Sequence, residues 1–216
     1  MDLETLRRLA ARGEGAALEF KHKANHPDKI ARELVAFANA SGGLLLLGVD
    51  DEGGIHGSKS PEEDQAAILL FAERYCRPRL PLRSERIPLS AKREVIAFHV
   101  KPGRQKPYFL HHPDPSVGKA AYYRLGHESI TASRELIQLL RHERRSQGVR
   151  FSVGKEESRL LAHLEQHPHI DLDDTARLLG VSRARASSLL VLLVRAGLLN
   201  IHPSGSRDLY SAGIVS

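Results

Sequence analysis

The chain has 216 residues, 41% of them hydrophobic and 27% charged, a balance that fits folded domains and excludes a disordered polyelectrolyte. Its longest apolar run, Gly42 to Val49, is far shorter than the ~20 residues a bilayer requires, and Met1-Asp2-Leu3-Glu4 lacks the basic-then-apolar order of a secretory signal, so the expected location is cytoplasmic. The net charge is +6; residues 151–216 carry seven basic and seven acidic side chains, so the surplus lies in residues 1–150, where it suits either polyanion binding or a solvated Arg-rich surface.

Asp2 to Arg12 reads as a short amphipathic helix, with Leu3, Leu6 and Leu9 or Ala10 on one face and Gly13 as its stop. Ala17 to Lys21 alternates like a strand. Asn25, Pro27 and Asp28 open the next helix, in which Ile30, Leu34, Phe37 and Ala38 recur at helical spacing until Ser41-Gly42-Gly43 ends it. Gly42-Gly43 permits close helix-to-strand packing and positive φ. Leu44 to Val49 is a continuous apolar run flanked by glycine, which suits a strand buried on both faces. Asp50 to Gly54 is a turn, and carboxylates at turns are usually turn formers.

Pro61 to Cys76 is helical, with Ser60 as cap, Pro61 at the first position and Glu62 and Glu63 in the first turn. Cys76 falls in this apolar-periodic stretch and reads as a buried small hydrophobe. Two strands, near Leu82–Ile87 and Glu94–Val100, precede a basic loop from Lys101 to Tyr108. Ala120 to Arg124 is a further strand, and Thr131 to Arg145 is a helix with a basic end. Gln147 and Gly148 mark a linker, taken as 147–154.

From residue 155 the grammar changes. Lys155 to Gln166, Asp171 to Leu179 and Arg183 to Ala196 read as three helices, followed by strands at Leu198–Ile201 and Asp208–Ser211 around Pro203-Ser204-Gly205-Ser206. This is the layout of a winged helix-turn-helix. Gly180 supplies the sharp turn, Ser182 caps the following helix, and Arg183, Arg185, Ser187 and Ser188 lie near its leading end, where bases and phosphates would be met. Leu189, Leu190, Leu192 and Leu193 read as core. The neutral charge of this segment also suits a winged helix used for dimerisation.

Glu19-Phe20-Lys21, Ala36-Phe37-Ala38-Asn39-Ala40-Ser41-Gly42-Gly43, and the run from Gly48 through Asp50-Asp51 to Gly57 closely resemble the Schlafen-type AlbA family. Lys106-Pro107-Tyr108 and Tyr122-Tyr123-Arg124-Leu125-Gly126-His127-Glu128-Ser129 are similar to its later motifs, so the resemblance covers roughly residues 10–135. It implies an α+β (mixed α/β) domain over 1–146, followed by the winged helix over 155–216. Bacterial members often carry such a tail and are described as transcriptional regulators. The family's older ATP-binding label finds no Walker-type loop in this sequence.

The resemblance also implies a nuclease alternative. Animal Schlafen relatives with RNase activity use three carboxylates that map onto Glu14, Glu19 and Asp51, and such a cluster holds Mg²⁺ or Mn²⁺ to activate water. Lys21, two residues beyond Glu19 on a strand, shares its face and either orients water or forms an ion pair with Glu19. The animal enzymes have two such domains, so this chain would need a homodimer to rebuild their cradle. The histidines show no zinc-type spacing.

Two functions follow as expectations. The first is a DNA-binding regulator, dimeric because paired half-sites confer specificity, with Arg104, Lys106, Tyr123, Arg124, Arg144, Arg145, Arg183, Arg185 and Ser187 meeting nucleic acid. The second is a metal-dependent endoribonuclease acting on structured RNA such as tRNA, with Glu14, Glu19, Lys21 and Asp51 as its site. A protein-interaction adaptor is the third class.

Overall fold

A computed structural model describes residues 1–143, 154–205 and 207–213. The chain divides into two units, Met1–Thr131 and Ala132–Ser216. In the first, α1 (Leu3–Arg12) is capped by Asp2, whose carboxylate accepts from the Thr5 N–H at 2.7 Å. β1 (Leu18–Lys21) pairs in parallel with β2 (Gly43–Leu47), and α2 (Pro27–Asn39) joins them. A parallel pair demands a crossover of this kind, because a tight turn reverses the chain.

After α3 (Pro61–Tyr75) and the short β3 (Cys76–Arg77), β4 (Leu82–Ser90) and β5 (Arg93–Val100) form an antiparallel pair. β5 pairs with β2 to complete a sheet of order β1-β2-β5-β4. β6 (Phe109–His111) lies between β3 and β7 (Lys119–Ala120) in a second sheet, and β8 (Tyr122–Leu125) pairs with β9 (Glu128–Thr131). The unit is mixed α and β, as expected.

Alternation along β2 and β5 builds two cores. Leu45, Leu47, Ile96 and Phe98 pack with Leu34, Phe37 and Ile68 from α2 and α3. Leu46, Val95 and Ala97 pack with Leu6 and Ala10 from α1 and with Leu18 and Phe20. The apolar run at 44–49 thus has helices on both faces, and each fully buried Leu or Phe contributes roughly 1.5–3 kcal/mol. Gly42 has φ +81°, and a Cβ on Gly43 would lie 2.4 Å from the Phe37 ring, so only glycine lets β2 approach α2 this closely. Cys76 is buried in the first core, and burial pushes its thiol up to about 12, as suits a packing residue.

Asn39, fully buried at the end of α2, supports the later part of the unit. Its amide donates to the carbonyls of Tyr108 (2.9 Å) and Tyr122 (2.8 Å), and its oxygen accepts from the Tyr108 N–H at 2.7 Å. One side chain therefore satisfies the backbone of both the basic loop's end and the start of β8.

The second unit contains α4 (Arg134–Glu143), α5 (Lys155–Gln166), α6 (Leu172–Leu179) and α7 (Arg183–Arg195), then a hairpin of β10 (Leu199–His202) and β11 (Leu209–Ala212). Its core gathers Leu160, Leu164, Ile170, Leu189, Leu190, Leu193, Leu199 and Tyr210; Leu192, expected in the core, is half-buried and does not belong to it. The helix at Arg134–Glu143, read from sequence as part of the first domain, belongs to this unit and packs on α7. The proposed linker, apart from Gly154, lies outside the described residues. Among the described residues no helix is long and apolar enough to cross a membrane.

Candidate nucleic-acid interface

The carboxylates proposed for a nuclease lie around β1. Glu19 and Lys21 share a face of the strand and form an ion pair at Glu19 Oε1, while Glu19 Oε2 accepts from Arg124 Nη2 at 2.8 Å. Glu14 Oε1 accepts from the Phe20 N–H at 2.7 Å. Burial raises the Glu14 carboxyl above its usual range; the Phe20 N–H opposes that, and the charges of Glu19 and Asp51 add to it. Asp51 is exposed in the turn after β2.

Both oxygens of Glu19 are thus committed to cations. Among the described residues no group of three His, Cys, Asp or Glu side chains is placed to hold a metal ion. The expected three-carboxylate cluster does not fit Mg²⁺ or Mn²⁺ in this arrangement, because β1 directs Glu19 inward to Arg124 and leaves Asp51 on an exposed turn. Asp50 is the turn former: it accepts from the Gly54 N–H at 2.6 Å and lies 2.5 Å from His56 Nε2. These two bonds, that to His56 first, hold its carboxyl below the ordinary range.

Arg124 requires a correction. At a strand end it suits equally a phosphate grip or a surface ion pair, yet its side chain is buried. Its guanidinium bonds Glu33 Oε2 at 3.1 Å, Glu19 Oε2 and the Gly15 carbonyl at 2.8 Å, and it stacks over the Phe37 ring. Ser129 also donates to Glu33. With two buried carboxylates to compensate, Arg124 turns inward. Neighbouring Tyr123 is half-buried in β8, facing Ile130 across the hairpin.

The basic loop is held at both ends: the Gly103 N–H donates to the Ala38 carbonyl at 2.8 Å, and Tyr108 is held by Asn39. Arg104 is exposed and Lys106 half-buried between these anchors. Beside the loop, a groove of about 680 Å³ opens where β4 and β5 meet it, with Arg79, Arg83 and Lys101 exposed over a floor of Leu80, Val100 and Gly43. Among the described residues, no acid pairs with these three cations. Sequence reasoning missed this groove. The β4–β5 register, with Leu82 opposite Val100, and the Lys101 N–H to Pro81 carbonyl bond (3.1 Å) bring Arg79, Arg83 and Lys101 together.

In the second unit, α6 ends at Gly180 in the left-handed conformation (φ +68°), and after Val181 the Ser182 hydroxyl caps α7 by accepting from the Arg185 N–H at 3.2 Å. Arg183 and Arg185 project from the first turn, with side chains 69% and 59% exposed. Each meets one acid: Arg183 Nε lies 3.1 Å from Asp173, and Arg185 Nη2 lies 3.0 Å from Glu156. Ser188 is exposed on the same helix. Ser187 is a second correction: it is buried, and its hydroxyl donates to Glu135 on α4. It lies on the inward stripe with Ala186 and Leu190. Arg144 and Arg145 lie outside the described residues.

The family model described as Schlafen, AlbA_2 matches residues 14–133. None of the curated proteins matches the chain. Among solved structures, the crystal structure of the DIP2311 protein from Corynebacterium diphtheriae is similar at 17% identity and a TM-score of 0.45, covering 76% of this chain. The chain spans 37% of that protein's length.

Proposed function

The chain belongs to the Schlafen AlbA_2 family, and from that premise we propose that it is a nucleic-acid-binding protein whose second unit is a winged helix-turn-helix acting on DNA as a transcriptional regulator. The observation that carries this reading is the exposed cationic start of α7, set off from α6 by the three-residue turn Gly180-Val181-Ser182. The acids beside Arg183 and Arg185 do not disqualify it. Exposed ion pairs are worth about 0–1 kcal/mol, so a phosphate or a guanine edge competes for either guanidinium at little cost. The basic groove of Arg79, Arg83 and Lys101, with exposed Arg104 nearby in sequence, would hold a second stretch of phosphate backbone. A two-fold dimer belongs to the proposal, because paired half-sites give such modules their specificity; a monomeric mass on DNA in sedimentation would remove that part.

Fluorescence anisotropy with labelled duplex DNA tests the reading. Replacing Arg183 and Arg185 together by Ala is expected to weaken binding at least about tenfold. Asp173→Asn frees Arg183 and is expected to tighten binding, by up to about fivefold. Binding untouched by the double replacement would overturn the assignment of α7. Cleavage of tRNA in the presence of Mn²⁺, lost in Glu19→Gln, would overturn the regulator in favour of the nuclease.

A further inference from the structure

The second unit contains a cavity of about 540 Å³ beside the leading end of α7, within the range of small-molecule sites. Its charges are sorted by depth. Glu135, Asp208 and Asp171 are buried, at 7%, 9% and 3% exposure. The arginines of its wall, Arg134, Arg183 and Arg207, are exposed. Exposed Asp173 also lines the wall and pairs with Arg183, so the floor is anionic and the rim cationic on balance.

The floor is incompletely satisfied. Glu135 accepts from the Ser187 hydroxyl, and Asp208 accepts from the Ser133 hydroxyl and the Ser204 N–H. Asp171 accepts from the Asp174 N–H and pairs with Arg207. Among the described residues, no cationic side chain pairs with Glu135 or Asp208, although buried carboxylates ordinarily require such compensation. Tyr210 lines the same cavity at 1% exposure, and among the described residues its hydroxyl has no hydrogen-bond partner. Phenylalanine would fill that space without burying an idle polar group.

We propose that this cavity binds a small zwitterion, with a primary ammonium group on the floor and an acidic group at the rim. An ammonium offers three N–H donors, which match the two carboxylates of Glu135 and Asp208 and the oxygen of Tyr210. Burial and the charges of those carboxylates raise the Tyr210 pKa, so the phenol stays neutral and keeps an acceptor lone pair for the incoming cation. Among the described residues Arg134 has no ion-pair partner, and it suits the ligand's carboxylate. Free α-amino acids carry these two groups together. Arg183 and Ser187 line the cavity and belong to α7, so occupancy would act on the helix that meets DNA. That coupling alone rests on the helix-turn-helix reading; binding does not.

Isothermal titration of the full chain without nucleic acid tests the site. The probes are the free L-α-amino acids, putrescine as an amine without carboxylate, and succinate as a carboxylate without amine. At least one amino acid is expected to bind saturably, more tightly than either partial probe, and to raise the melting temperature. Tyr210→Phe is expected to leave the ligand-free melting temperature unchanged or higher while weakening binding about tenfold or more, and Glu135→Gln to weaken it similarly. The proposal is overturned if no amino acid binds, if putrescine or succinate binds as tightly, or if Tyr210→Phe binds like the parent chain. Loss of DNA binding in the α7 variants bears on none of these outcomes.

Discussion

Arg124 joins elements far apart in sequence: its guanidinium bridges Glu19 and Glu33, 105 and 91 residues away. A guanidinium can serve two carboxylates and a carbonyl at once because its five N–H groups lie in one plane; a lysine ammonium has three, converging on one atom. Taking such charges out of water is costly, and the pairing offsets that cost only while it is complete. Arg124→Ala would remove the buried cation that Glu19 and Glu33 share, leaving each only a more exposed one, Lys21 and Arg32, and is expected to destabilise the chain by about 3 kcal/mol in urea unfolding. Arg124→Lys should recover only part of the loss. A change below about 1 kcal/mol for Arg124→Ala would mean that water already reaches Glu19 and Glu33. The same network explains why Glu19 is poorly placed to be a metal ligand, since both its oxygens already serve cations.

At the scale of elements, the turn between α6 and α7 depends on one backbone conformation. Gly180 has φ +68°, and a Cβ there would meet nothing within 4 Å, so the cost of a side chain is purely torsional. Gly180→Ala is expected to lower stability by about 1–2 kcal/mol, and Gly180→Asn by less, because asparagine tolerates the left-handed region. Thermal melts followed by circular dichroism would measure both; equal losses would mean that contacts, not φ, set the cost. This turn was legible because glycine followed by a serine cap is a local signal, as was the apolar run that became β2. The short strands β3, β6, β7 and β9 were not read as separate strands. β3 pairs Cys76 with Leu110, and no local pattern encodes a partner so distant in sequence. Arg124 misled for a related reason: β8 places a charge inward and Leu125 outward, the inverse of ordinary alternation, because the compensating acids come from β1 and α2. Ser187, placed by its position near the leading end of α7, turns inward because α4 packs on that helix and brings Glu135 to its hydroxyl, a partner 52 residues away that no local pattern announces.

Over the whole molecule, two sets of exposed cations differ in whether acids accompany them, and the proposed function gives each its own kind of nucleic-acid contact. In the second unit Arg177, Arg183, Arg185 and Arg207 each lie against an acid, so on the proposed reading contacts made by Arg183 and Arg185 would be short-ranged and geometric. In the first unit Arg79, Arg83 and Lys101 have no acid partner among the described residues and face one groove, a surface suited to phosphates without regard to sequence. Removing the three together as alanines is expected to weaken binding to all DNA sequences alike and to reduce the slope of log affinity against log salt by up to about three. Removing Arg183 and Arg185 should instead alter the ranking of one sequence over another, with a smaller effect on the slope. Anisotropy titrations over a salt series on two unrelated duplexes separate these effects. An unchanged slope in the triple variant would mean that the groove cations never meet phosphate and belong only to a solvated surface.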